Sequence, residues 1–588
     1  MTSAWSGRRL LRWSALWLPA VVLGVLAWRH RWVADDGFID LHIADNLLSG
    51  LGPVFNAGER VEAYTSPLWV ALLALVAWPT KPFVAEGLPP FEWISVGLGL
   101  LISVAALGIA SMASDRLRRS DEAASLPIPF GALGILAVEP FWDYSTSGLE
   151  TSLVFLWLAL SFWATVVTRD RPTRLAQLLT GLLVGLGPLV RPDLGIFSVL
   201  FGGLTIAFAA GRRRRLEILA AMLALPLAYQ LFRMGYFACL LPNTALAKEA
   251  SFAYWRHGWV YFVEFEKTYE LWVLLIALIA AEVFLFGSFW KGKDRRSALL
   301  VAAPALGGLL HGLYITRVGG DFLHARLLLP AVFALAMPVA TLRLREFKIL
   351  GLVLVPWAIV CVLTSEIPLD KDDLGIERGR LNFILLSKSD HPVSLDDYRQ
   401  MGWSIEVDKL FKQIDDANQT KPDRTERGLF SKWASSASLP AAFNPWIHAE
   451  AVAYRGAIGL LGYRGRQRLF VCDFHGLADP IASRLELASV DKGGVWHSGR
   501  GKPGHEKRLK SDWCVARLVA SLDAKPTAAN VRVLLAALGC GDLAELQAAT
   551  TTRLTWKRFW RNVWVAPRLT RVRIPQDFVE ARERFCGS

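Results

Sequence analysis

The chain has 588 residues, 53% of them hydrophobic, and a formal charge of +13, with a mean hydropathy of +0.33. That is too apolar for an ordinary soluble protein and points to the membrane class. The basic residues lie between apolar runs, as cytoplasmic loops require, which argues against nucleic acid as the reason for the charge.

At the N-terminus, Arg8, Arg9 and Arg12 precede an apolar run from Trp13 to Trp28. No small-residue cleavage site follows, so the run reads as an uncleaved first span. Further long runs predict spans at 91–113, 126–142, 149–168, 175–190, 192–210, 216–238, 270–290, 298–315, 327–342 and 347–365, eleven with the first. Each approaches the length a helix needs to cross the hydrocarbon core. Basic clusters follow at Arg116/Arg118/Arg119, Arg169/Arg171/Arg174, Arg212–Arg215, Lys291/Lys293/Arg295/Arg296 and Arg343/Arg345/Lys348. Two predicted spans separate each cluster from the next, so all fall on one side, and the positive-inside rule makes that side cytoplasmic. The apolar run Ser66–Trp78 breaks this parity and is short, so it reads as a re-entrant or interfacial helix.

The fold class that follows is a polytopic α-helical plasma-membrane protein of about eleven transmembrane helices, its N-terminus cytoplasmic. Residues 1–365 form the membrane domain, and 366–588 form an extracytoplasmic soluble domain. Cys239 and Cys361 lie in or beside apolar runs and read as inert. Cys472, Cys514, Cys540 and Cys586 fall in the last third and allow two disulfides there, in an order the sequence leaves open.

The chemistry concentrates in the outer loops. Asp35 and Asp36 follow the first span directly, and a carboxylate pair at a membrane surface is costly unless it faces water or a site. They read as a catalytic base or as a partner for a sugar; the bland alternative makes Asp36 a helix N-cap. Tyr64, in the AYTSPLW stretch of the same loop, joins the substrate-binding candidates. The stretches TSGLET, LVRPD, PNTALAKEA and RVGGDFLHARLLLP add Glu150, Arg191, Asp193, Lys248, Arg317, Asp321, His324 and Arg326. Arginine and lysine there suit a phosphate; the alternative for Arg191, Arg317 and Arg326 is snorkelling to lipid head groups. His324 reads equally as a base or as a hydrogen-bonded loop residue. No Walker loop, HExxH, GxSxG or convincing GxGxxG unit is present. That disfavours a nucleotide-sugar donor and leaves a polyprenyl-phosphate sugar, reachable on the outer face. The acidic pair leaves a divalent cation open, on a signal of two carboxylates alone.

The first span, acidic pair, long outer loop and short apolar helix together resemble the C-type glycosyltransferase fold. The stretches DDGFIDLHIADNLLSGLGPVFNAGERVEAYTSPLW, TSGLET, LVRPDL, LPNTALAKEA, GGDFLHARLLLP, FHGLADPIASRLEL and GHEKRL resemble the actinobacterial terminal β-(1→2)-arabinofuranosyltransferase family. The resemblance implies a decaprenyl-phosphoryl-arabinofuranose donor. It implies an α-(1→5)-linked arabinan acceptor, in arabinogalactan or lipoarabinomannan, and a β-(1→2) cap as product. Asp35 and Asp36 would then act at the sugar, with Lys248, Arg317 and Arg326 on the donor phosphate and Asp321 and His324 nearby. Trp433, Trp446, Trp496 and Trp513 would stack on the acceptor, unless they are ordinary core. A lipid-linked sugar transporter would instead show repeated halves and mid-membrane charges, and no clear repeat is seen.

Overall fold

The structure, a computed structural model, describes residues 2–83, 90–118, 126–364, 375–420, 443–487, 507–518 and 529–587. Arg119, Trp433 and Trp496 lie outside the described residues. Contacts divide the chain into two units: residues 1–32, 95–227 and 253–382 form the first, and 33–94, 228–252 and 383–588 the second.

Among the described residues, six helices are long and apolar enough to cross a membrane: Leu10–Arg29, Phe91–Leu117, Thr151–Asp170, Arg212–Phe237, Leu271–Lys291 and Arg295–Val318. Four other expected spans are shorter apolar helices, at Arg174–Val190, Pro192–Ala207, Leu329–Val339 and Leu350–Thr364. Proline explains part of the shortening. In the run expected at 126–142, helix Phe130–Ala137 stops at an extended Val138, and Pro140 then opens a one-turn helix to Asp143. Pro188 and Pro192 flank an extended Arg191 in the same way and turn the chain between two short helices. Small residues let the helices of the first unit approach closely. At Gly308 a methyl group would lie 2.7 Å from the carbonyl oxygen of Ala331, a distance no side chain tolerates.

The second unit is built from three separated pieces of sequence. Its first helix is Asp35–Leu48. The apolar run beginning at Ser66 forms helix Pro67–Ala77, of 11 residues. At 1.5 Å per residue that is about 16 Å, half of what a crossing needs. In the last third, β1 (Ala451–Arg455) pairs in parallel with β2 (Leu469–Asp473), Ala451 opposite Leu469. Helix Gly459–Gly465 makes the crossover that parallel pairing demands. The C-terminal helices pack around Trp513, Leu534, Leu543, Leu546, Leu569 and Ile574. Helices Ala529–Leu538 and Gly541–Thr551 are together apolar enough for a span, but they bend by 79° and contribute to this core. Trp513, 1% exposed, is core rather than a stacking platform, and Trp446 packs edge-on against Phe470. Disulfides join Cys472 to Cys514 and Cys540 to Cys586. Cys239 and Cys361 are free and buried.

Candidate active site

The segment that carries the acidic pair is held by its backbone. Val33 donates its N–H to the Pro392 carbonyl at 2.8 Å, and the Tyr398 hydroxyl donates to the Val33 carbonyl at 2.5 Å. Asp35 and Asp36 then fill the first turn of helix Asp35–Leu48, where the helix dipole favours carboxylates. The N-cap is Ala34, so Asp36 does not cap this helix. Asp35 caps another: its carboxylate accepts from the N–H groups of Leu460 at 2.8 Å and Gly459 at 3.3 Å, at the start of helix Gly459–Gly465. Position 459 must be glycine, because a Cβ there would lie 1.7 Å from the Asp35 carbonyl oxygen. Burial pushes the Asp35 carboxyl up to about 6; the hydrogen bond from Leu460 opposes this, and the neighbouring Asp36 charge adds to it. Two residues that look alike in sequence are thus unequal: Asp35 is committed to a helix end, and Asp36, also partly exposed, is not its helix's cap.

Tyr64 is buried, its hydroxyl 3.2 Å from that of Tyr229. Tyr229 donates to Glu62 at 2.7 Å, and Arg233 meets the other Glu62 oxygen at 2.6 Å. Lys248 follows helix Asn243–Ala247, is half-buried, and makes no ion pair among the described residues. Around it lie residues that the sequence did not single out. The Asn243 amide donates to the carbonyls of Gly476 at 2.7 Å, Leu477 at 3.1 Å and Asp479 at 3.2 Å. Lys507, fully buried, holds Glu249 at 2.6 Å and the Leu246 carbonyl at 2.9 Å. Burial pulls its ammonium down to about 8, and Glu249 opposes the shift. The signal was available: these residues belong to the LPNTALAKEA, FHGLADPIASRLEL and GHEKRL stretches, which the fold brings together.

Within the first unit the charges expected in outer loops form a continuous buried chain. One Arg326 nitrogen reaches both Glu150 oxygens at 3.1 Å, and another reaches Asp321 at 3.2 Å. Arg191 lies 3.4 Å from Glu150 and 3.0 Å from Asp193. Asp193 in turn meets His311 Nε2, inside a span, at 2.7 Å. His324 Nδ1 meets Glu264 at 2.5 Å, with Phe265 and Tyr269 against its ring. Arg191 and Arg326 are 6% and 7% exposed, so neither snorkels to the surface. Arg317 is half-buried at the end of its helix. His311 and Glu264 were missed because their partners lie far away in sequence. His30, Glu139 and Asp143 place ligand atoms within 4.8 Å of one another. Arg378, at 3.7 Å from Glu139, brings a positive charge that competes with any cation there. Beside His324, an apolar groove of 510 Å³ is lined by Trp255, Trp259, Phe262, Phe265, Leu328 and Leu335, among others.

Asp35, Asp36, Tyr64 and Lys248 therefore belong to the second unit, and Glu150, Arg191, Arg317, Asp321, His324 and Arg326 to the first. No family model and no solved structure matches the chain. A Corynebacterium glutamicum protein named terminal β-(1→2)-arabinofuranosyltransferase is 30% identical over 87% of this chain and 78% of its own length. A Mycobacterium tuberculosis protein of the same name is 29% identical over 96% of both chains.

Proposed function

Because the chain belongs to the terminal β-(1→2)-arabinofuranosyltransferase family, we propose that it transfers arabinofuranose from decaprenyl-phosphoryl-arabinose to the non-reducing ends of cell-wall arabinan. The product would be a β-(1→2) cap on arabinogalactan or lipoarabinomannan. The observation that carries this reading is likeness over nearly the whole chain. The chain crosses the plasma membrane in eleven spans, shorter helices included, with the last third outside. The disulfides Cys472–Cys514 and Cys540–Cys586 support that placement, since such bonds persist in oxidising compartments.

Asp36 acts at the sugar, and Asp35 positions it by fixing the turn against helix Gly459–Gly465. Lys248, whose ammonium has no ion pair among the described residues, contacts the donor phosphate as its charge develops. Arg317 is assigned a contact to a lipid-borne phosphate, and the groove beside His324 is assigned the prenyl tail. Arg191, Arg326, Glu150 and Asp321 brace the loops that carry them. A β donor giving a β product retains configuration, which a single in-line attack would invert. Retention calls for a covalent sugar intermediate or for attack on the face the phosphate leaves.

The test is transfer by purified protein from a short-chain prenyl-phosphoryl arabinofuranose to an α-(1→5) oligoarabinofuranoside, the linkage read by NMR. Wild type should form the β-(1→2) product, and Asp36→Asn should lose about two or more orders of magnitude in rate with an unchanged melting temperature. No transfer by folded wild type would overturn the arabinosyl assignment.

A further inference from the structure

Helix Trp556–Arg571, WKRFWRNVWVAPRLTR, has an outer face that nothing described so far uses. Trp556, Trp560 and Trp564 stand at i, i+4 and i+8 and so share one stripe. They are 74%, 40% and 83% exposed. A run of tryptophans this exposed does not belong on a surface facing only water. The same helix carries Lys557, Arg558, Arg561, Arg568 and Arg571 and no acidic residue. Glu545 on the neighbouring helix pairs with Arg558 and Arg561, and Asp542 with Arg568. Lys557 and Arg571 are exposed and make no ion pair among the described residues.

The buried face of the helix shows where that stripe sits. Asn562, fully buried, donates to the Gly235 carbonyl at 2.9 Å. The Phe559 ring occupies the space a side chain at Gly235 would take, 2.2 Å from the ideal Cβ position. Thr570 accepts from the Leu240 N–H at 2.8 Å. Gly235 lies in the last turn of helix Arg212–Phe237, one of the helices long and apolar enough to span a membrane. The tryptophan helix is therefore bolted to the end of a span, the depth at which lipid head groups lie. Tryptophan prefers that depth because its ring is apolar and its N–H polar, and cations there meet lipid phosphates. A recess of 470 Å³ lined by Asp542, Trp564, Pro567, Arg568, Arg571 and Val572 opens beside the third tryptophan.

We propose that helix Trp556–Arg571 is an interfacial anchor: its tryptophan stripe inserts among the head groups of anionic phospholipids, whose phosphates Lys557, Arg568 and Arg571 bind. This rests on the membrane reading of the chain and not on the arabinosyl one. The competing occupant is a polysaccharide, since sugar faces also stack on tryptophan.

The test uses the full chain in nanodiscs of phosphatidylcholine alone, or with about a third phosphatidylglycerol. A nitroxide is attached at Trp564→Cys, and another at Lys412→Cys as an exposed control. Collisions with oxygen and with a water-soluble nickel complex report depth. The label at 564 should favour oxygen over nickel several-fold more than the label at 412 does, and more strongly in the anionic discs. Lys557→Glu/Arg571→Glu should remove the difference between the two lipids while leaving transfer activity intact. Equal nickel access at 564 and 412 would overturn the anchor, and equal depth in both lipids would overturn the anionic preference. Shielding of 564 by an added oligoarabinofuranoside, but not by lipid, would overturn the proposal in favour of an acceptor platform.

Discussion

The two units bury polar groups with a different balance of means. In the first, charges pair with charges: Glu150 with Arg326 and Arg191, Asp321 with Arg326, and Asp193 with Arg191 and His311. In the second, many buried polar side chains bond instead to backbone. Asp35 takes two N–H groups of one helix end, Asn243 gives to three carbonyls, and Arg484 gives to the Leu569 carbonyl. The reason is supply. A unit made of apolar helices consumes its peptide groups internally, so a buried charge there must find another side chain. An irregular unit with short helices and a two-stranded sheet leaves peptide groups over, and these bind side chains without a second charge. Glu59–Arg517–Asp479, Lys507–Glu249 and Arg233–Glu62 show that the second unit also uses the first solution.

The comparison breaks if deletion of one charge in the first unit is harmless. Arg326→Met should cost about 3–5 kcal/mol, because Glu150 and Asp321 lose a buried partner. Melting in detergent should show a large drop, with recovery in Glu150→Gln/Asp321→Asn/Arg326→Met; no drop would mean the chain is not a brace. In the second unit, Asn243→Leu leaves three carbonyls without their donor, while Arg484, which also meets Asn243, keeps the Pro480 and Leu569 carbonyls, and the expected loss is smaller, about 1–3 kcal/mol. A loss as large as that of Arg326→Met would erase the distinction. The finest contrast is in pH. The folded Asp35 carboxyl, at about 6, lies above its ordinary 3.8, so the folded state binds the proton more tightly. Its contribution is fully present below about pH 4 and is lost as pH rises through about 6. Asp35→Asn should remove that part of the slope of stability between these values, and an unchanged slope would reject the burial argument.

Hydropathy made the long helices legible, because a run such as Phe91–Leu117 carries its own signal. The runs at 126–142 and 175–190 form shorter pieces, because Pro140 opens a separate one-turn helix in the first and Pro188 lies in a separate last turn of the second. Ser66–Trp78 was separable by its length, and helix Pro67–Ala77 is short. Side-chain partners were the illegible part. Glu150 and Arg326 are 176 positions apart, and no periodicity announces that pairing. The acidic pair stood out by composition, but its inequality depends on a glycine at 459 that belongs to another piece of the chain. The four cysteines of the last third were countable in sequence, and only the fold assigns Cys472 to Cys514 and Cys540 to Cys586.

The Asp35 cap also sets a clock. Asp35 and the N–H of Leu460 are separated by 425 positions. A ribosome adding about 5–20 residues per second needs roughly 20–85 s to cover that distance. Throughout that interval the first loop has left the first span with its carboxylate unmatched, and Glu59 and Asn243 wait likewise for Arg517 and Ser483. The loop after the first span thus takes its folded shape only when Leu460 and Arg517 have been made, and a chain that stops before them lacks these partners.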